Sequence, residues 1–152
     1  TRFSAGLLLL LAATAAQAAE PLGASRCGSC HIEAYTSWSG SRHARSLERL
    51  TEAQRKDPTC RACHTFAPDR DDPALAGVQC ESCHGEGSQY APEHVMRDAT
   101  LARMLGLKKV DASTCRACHE GVTPSLQPYD YRTRLREVAH GALDGSANDG
   151  AR

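Results

Sequence analysis

The segment Gly77-Val78-Gln79-Cys80-Glu81-Ser82-Cys83-His84-Gly85-Glu86-Gly87 holds a C-x-x-C-H unit at its centre, Cys80 to His84. At this spacing two thiols can form thioethers to the vinyl groups of one haem while the adjacent histidine ligates its iron. The unit recurs at Cys27-Gly28-Ser29-Cys30-His31, Cys60-Arg61-Ala62-Cys63-His64 and Cys115-Arg116-Ala117-Cys118-His119, and the four copies use all 8 cysteines of the chain. Zinc ribbons or a disulfide framework would also explain an even cysteine count, but neither accounts for a histidine at the fifth place every time. Four covalently attached haem c groups are therefore the expected cofactors.

Outward from the motifs, residues 1–18 read as an export signal, with Arg2 as the positive flank, an apolar run over 7–11 and Ala16-Gln17-Ala18 as the small-residue site. Cleavage is expected between Ala18 and Ala19, which predicts a periplasmic location. The run is shorter than the ~20 apolar residues of a membrane span, so no integral span is expected. An uncleaved interfacial anchor is the alternative reading. Residues 19–140 are predicted to form one tetrahaem domain and 141–152, rich in Gly, Asp and Ser, a flexible tail.

Aromatic residues make up only 5% of the sequence, so a protein-only core of ordinary size is not expected and the haems must supply much of it. The predicted fold is mainly α: short helices and loops wrapped around four covalently bound haems. The 18 Lys and Arg balance the 18 Asp and Glu, and haem propionates would make the holoprotein acidic. Scattered cations exclude an obvious nucleic-acid stripe. Arg132, Arg134 and Arg136 are expected on a solvated helix face.

His31, Tyr35 and Trp38 are spaced to share one face of a helix after the first motif. A second helix is expected from Gly40 or Ser41 through Leu50, placing His43 beside Leu47 and Leu50. Between Thr51 and Pro58 the chain reads as a polar connection ending in Asp57-Pro58, a turn signal just before the second motif. Residues 65–77, with Asp69, Asp71 and Asp72, read as an exposed acidic loop, either a solvated connection or a docking point near the second haem. Pro92 is expected to open a helix running to about Leu107, with His94 in its first turn and Met96 and Met104 in the core. Asp111 to Thr114 offer caps ahead of the fourth motif. A loop is expected over 121–128 and a final helix from Asp130 to about His140, with Leu135, Val138 and Ala142 inward; no stretch reads as a strand.

Four irons offer eight axial positions and the chain has 7 histidines. His31, His64, His84 and His119 are proximal by position, and His43, His94 and His140 remain as distal ligands. One iron is left with a single histidine, open to a small molecule, a methionine, a lysine or a group from another chain.

The first motif continued to Ser37-Trp38 and His43-Ala44, together with the Val78-Gln79-Cys80-Glu81-Ser82-Cys83-His84-Gly85 segment and His94, resembles the tetrahaem cytochrome c-554 family. That family is mainly α-helical, stacks its haems in close pairs, and shuttles electrons in the periplasm from hydroxylamine oxidation toward membrane carriers. The resemblance implies that His94 ligates the first haem, His140 the third and His43 the fourth, leaving the second haem, held by Cys60, Cys63 and His64, five-coordinate. The chain departs from the family pattern in being shorter between the first two motifs and after the fourth.

The function expected is electron transfer between respiratory redox partners, with no catalytic residue assigned. Two alternatives follow from the open position. The iron at His64 could reduce nitric oxide or another nitrogen oxide, or the chain could be a haem-bearing subunit of a larger assembly or filament.

Overall fold

The computed structural model describes residues 19–120 and 129–140. The expected export signal over 1–18, the loop over 121–128 and the tail over 141–152, Ala142 included, lie outside the described residues. Among those described are nine short α-helices: α1 (Ala24–Gly28), α2 (Ile32–Ser39), α3 (Glu52–Lys56), α4 (Pro58–His64), α5 (Cys80–His84), α6 (Glu93–Met96), α7 (Ala99–Met104), α8 (Ala112–His119) and α9 (Tyr131–Val138). Two 3-10 turns, Leu47–Arg49 and Pro73–Leu75, interrupt the connections. The described chain has no strand, only isolated bridges from Thr65 to Ala76 and Gly77.

Helices this short do not persist alone in water, where about 12–15 residues are marginal. Here side chains hold their first turns. Asp57 caps α4 through Thr59 N, Asp98 caps α7 through Thr100 N and Leu101 N, Asp111 caps α8 through Ser113 N and Thr114 N, and Asp130 caps α9 through Arg132 N. Each cap satisfies backbone donors that the helix itself cannot. The capped helices α4 and α8 end on His64 and His119, so the caps fix the register of two haem motifs.

Four expectations are corrected by the backbone. The helix expected through Leu50 is instead a series of turns and a 3-10 turn, because the His43 carbonyl accepts from both Ser46 N (3.1 Å) and Val78 N (3.0 Å). An i→i+3 bond and a tertiary bond displace the α-helical partner. The helix expected from Pro92 to Leu107 is split into α6 and α7, since Asp98 adopts extended backbone and caps the second half. Residues 52–56, expected to be a polar connection, form α3, opened by a reciprocal Thr51–Gln54 capping box. Met104 is 78% exposed and Val138 38% exposed, although both were expected inward. Met96 does pack beneath the core, with Leu101 and Leu107, against Tyr90, Val95 and Ala102.

The third motif is the tertiary hub. Glu81, 2% exposed, accepts from Leu22 N, Gly23 N and Gly87 N at 2.7–3.0 Å. Gln79 accepts from Ala24 N at 2.7 Å and donates to the Ala76 carbonyl. Thus α5 is stitched to the start of α1, and the first and third motifs are brought side by side. Tyr90, buried, donates to the Gly85 carbonyl (2.7 Å), and Trp38 Nε1 donates to the Val78 carbonyl (2.7 Å). Burial raises the Tyr90 hydroxyl above its ordinary pKa, keeping it a donor.

Candidate functional site

Each C-x-x-C-H unit closes a turn of helix. In α4, α5 and α8 the histidine is the last helical residue, and at the first motif His31 N bonds the Cys27 carbonyl at 2.9 Å, continuing the helical turn past α1. Positions i, i+3 and i+4 share one helix face, so both thiols and the imidazole project together. None of the 8 cysteines is disulfide-bonded.

Across motifs the thiols neighbour one another in a definite order. A thiol–thiol hydrogen bond holds the proton on Cys27, raising its pKa and lowering that of Cys80. Burial, with Cys115 nearby, raises Cys83. Burial and a hydrogen bond with Cys63 push Cys118 up to about 12.

The histidines fall into three groups. The ring of His43, in the turn after α2, lies 6.1 Å from that of His119 between centroids, and the ring of His140, just past α9, lies 6.0 Å from that of His84. Two imidazoles bonded through nitrogen at about 2 Å on opposite sides of one metal would have centroids about 6 Å apart, so the residues present fit an iron-bound haem at both pairs. Burial lowers the pKa of His43, His84 and His119, and the partner histidine adds to the effect on His43 and His84. Neutral imidazole is the form that binds metal. His140 Nδ1 faces the Val138 carbonyl at 3.2 Å, leaving Nε2 for a ligand.

His64 stands apart. Its Nδ1 lies 2.8 Å from the Ser46 carbonyl, the bond that orients a proximal ligand and frees Nε2, and no second histidine ring contacts it among the described residues. His31 and His94 are both exposed, the latter on α6, and no ring contact joins them among the described residues. The structure thus brings together two of the three expected ligand pairs.

The sequence reading passed over three residues. Ser46 is buried against His64. Tyr129 stacks on His119 at 4.6 Å with the planes 15° apart. Glu81 was visible as a charge inside an otherwise uncharged run, and that misfit was its only signal. Two glycines permit close approach: a Cβ on Gly28 would lie 2.6 Å from the Tyr35 ring, and Gly77, at φ +83°, would drive one into the Ala44 carbonyl. Gly77→Ala is therefore expected to cost about 2–4 kcal/mol and to displace the turn carrying His43. Thermal unfolding of the holoprotein, followed in the Soret band, checks this.

The acidic loop is exposed at Asp69, Asp71 and Asp72, and Asp72 caps the Pro73–Leu75 turn through Ala74 N. Arg132, Arg134 and Arg136 are exposed on α9, as expected, with Arg134 paired to Glu137 at 2.8 Å. No helix of the described residues is long and apolar enough to cross a membrane.

Comparison with known proteins agrees with the geometry. Residues 26–85 match the family described as cytochrome c554 and c-prime. Cytochrome c-554 of Nitrosomonas europaea is 31% identical over 96 residues, which cover 47% of this chain and 41% of that protein. The solved structure of the reduced state of cytochrome c554 from Nitrosomonas europaea superposes with a TM-score of 0.56 at 22% identity, covering 87% of this chain and 84% of the other, a likeness of fold. The family match spans less than half of the chain and the chain covers less than half of the curated relative, so in its motifs over residues 26–85 and in its helical fold the chain is similar to the cytochrome c554 and c-prime family.

Proposed function

We propose that the chain is a periplasmic tetrahaem electron carrier in which residues 19–140 form one haem-binding domain. Haem c is held through Cys27 and Cys30, Cys60 and Cys63, Cys80 and Cys83, and Cys115 and Cys118, with His31, His64, His84 and His119 as proximal ligands. The observation that carries the reading is the spacing of His84–His140 and His43–His119, each suited to one iron between two imidazoles. It favours His140 as distal ligand of the third haem and His43 of the fourth. His94 is assigned to the first haem on family resemblance.

Bound haem supplies one-electron chemistry, and its potential follows the axial ligands and their hydrogen bonds. The protein's part is to order the sites. The thiol neighbours Cys27–Cys80, Cys83–Cys115 and Cys118–Cys63 support a chain of sites in the order first, third, fourth, second. The second site is then terminal, beside the exposed acidic loop. A redox partner with a basic face fits that end, and brief docking suits a shuttle.

The second haem is assigned as five-coordinate through His64. Electron paramagnetic resonance of the oxidised holoprotein, read beside its mass, tests this. One high-spin ferric haem among four, altered by nitric oxide, is the expected result. Four low-spin haems would overturn the open second site, leaving a conductor with every iron six-coordinate or a subunit of a larger assembly.

A further inference from the structure

Ser46 is buried between two histidines that belong to different haem sites. Its carbonyl accepts from His64 Nδ1 at 2.8 Å, and its hydroxyl donates to the His64 carbonyl at 2.9 Å. On the other side Ser46 N donates to the His43 carbonyl at 3.1 Å. Val78 N completes the node, donating to the Ser46 hydroxyl at 3.1 Å and to the His43 carbonyl at 3.0 Å. One four-residue turn therefore grips the second site's proximal histidine at both its ring and its backbone, and holds the fourth site's distal histidine by its carbonyl.

The geometry points to Ser46 as a positioning residue that couples the second and fourth haems. The inference rests on the assignment of His64 and His43 to those haems. A bond from Nδ1 to a carbonyl makes imidazole a stronger donor and favours ferric iron. Were His64 to shift on binding of a ligand at the second haem, the turn would have to move or its bonds would have to lengthen. The same displacement reaches the His43 backbone, whose ring meets His119 at 6.1 Å. The device makes the neighbouring haem of the electron path sense the state of the terminal haem.

The test uses Ser46→Ala and Ser46→Thr holoproteins, each confirmed by mass to carry all haems, in redox titrations followed by electron paramagnetic resonance. The second haem is identified by its high-spin signal. The fourth is identified as the low-spin haem that becomes high-spin in His43→Gly. Ser46→Ala keeps the carbonyl but removes the hydroxyl's bonds to the His64 carbonyl and from Val78 N, so the turn loosens, the His64 Nδ1 bond lengthens, and reduction of the second haem is expected to be favoured by about threefold to tenfold, the upper figure being about 59 mV for one electron. Ser46→Ala should also shift the potential or g-values of the fourth haem while leaving the other two unchanged, and Ser46→Thr should restore both.

Movement of the second haem alone, equal movement of all four, or a threonine variant that behaves as alanine does would overturn the coupling while leaving the ligand assignment standing. A wild type without a high-spin haem, or a His43→Gly variant without a new one, would overturn the assignment and the coupling together.

Discussion

Without haem, the polypeptide will show no cooperative unfolding transition and little helix by circular dichroism, whereas the holoprotein will melt sharply. Among the described residues the buried apolar side chains are Leu50, Leu75, Tyr90 and Val95, with Ala24, Ala102 and Ala112, and no large side chain is fully buried. Ordering a backbone residue costs about 1–2 kcal/mol, whereas full burial of a large apolar side chain returns about 1.5–3 kcal/mol. Four such side chains cannot balance the ordering of a chain this long. The helices add little, since each is below the length at which a helix is even marginal alone. What would remain is covalent and coordinate: the proposed thioethers at the cysteines and iron bonds at the histidines would tie short helices together as metals do in other small domains. The measurement is made on chain expressed without haem attachment, with its thiols kept reduced. Native-like helix content with a cooperative melt would show that the protein core suffices after all.

The same scarcity of core explains how much could be read from the sequence. The C-x-x-C-H spacing is local and strict, so the four motifs, the helical face within each and the mainly α class were legible in the residues alone. So were α2, α8 and α9, where a strong cap or a residue pattern acts alone. Boundaries failed where a long-range partner competes with local preference. The turn at His43 could be read as helix because its apolar spacing is helical, and only the Val78 amide, more than thirty positions away, diverts its carbonyl. Asp98 was hidden for a different reason. Inside an apparently continuous helix an aspartate reads as a surface residue, yet it caps a new one. Exposure misled at Met104 and Val138 because spacing shows which residues share a face, not what lies opposite. The ring pairs His43–His119 and His84–His140 were accessible only through family resemblance, since nothing local in His140 points to His84.

Replacing Glu81 by alanine is expected to be the most damaging single substitution outside the haem ligands. Its carboxylate is 2% exposed, and its acceptors serve the amides of Leu22, Gly23 and Gly87. Alanine would leave those donors without their acceptor in a site from which water is largely excluded. Each buried unsatisfied donor costs about 1–3 kcal/mol, and breaking a buried charge interaction costs about 3–5 kcal/mol. Partial relaxation toward water at the Leu22 end keeps the sum near the lower figures, so a loss of about 3–5 kcal/mol and a fall in Tm of about 10 °C or more are expected. Glu81→Gln separates charge from shape. Its one carbonyl oxygen can still accept, but its amide group would face a backbone N–H, so an intermediate loss is expected. The consequence is structural before it is electronic. Glu81 joins the segment leading into the first motif to the loop leaving the third, so its loss should loosen the contact between Cys27 and Cys80 and disturb the haem sites proposed there, while the low-spin signature expected of the proposed fourth site is kept. Thermal melts in the Soret band, with electron paramagnetic resonance of the folded variant, measure both effects. An alanine variant melting within a degree or two of wild type would show that solvent replaces the carboxylate at no cost.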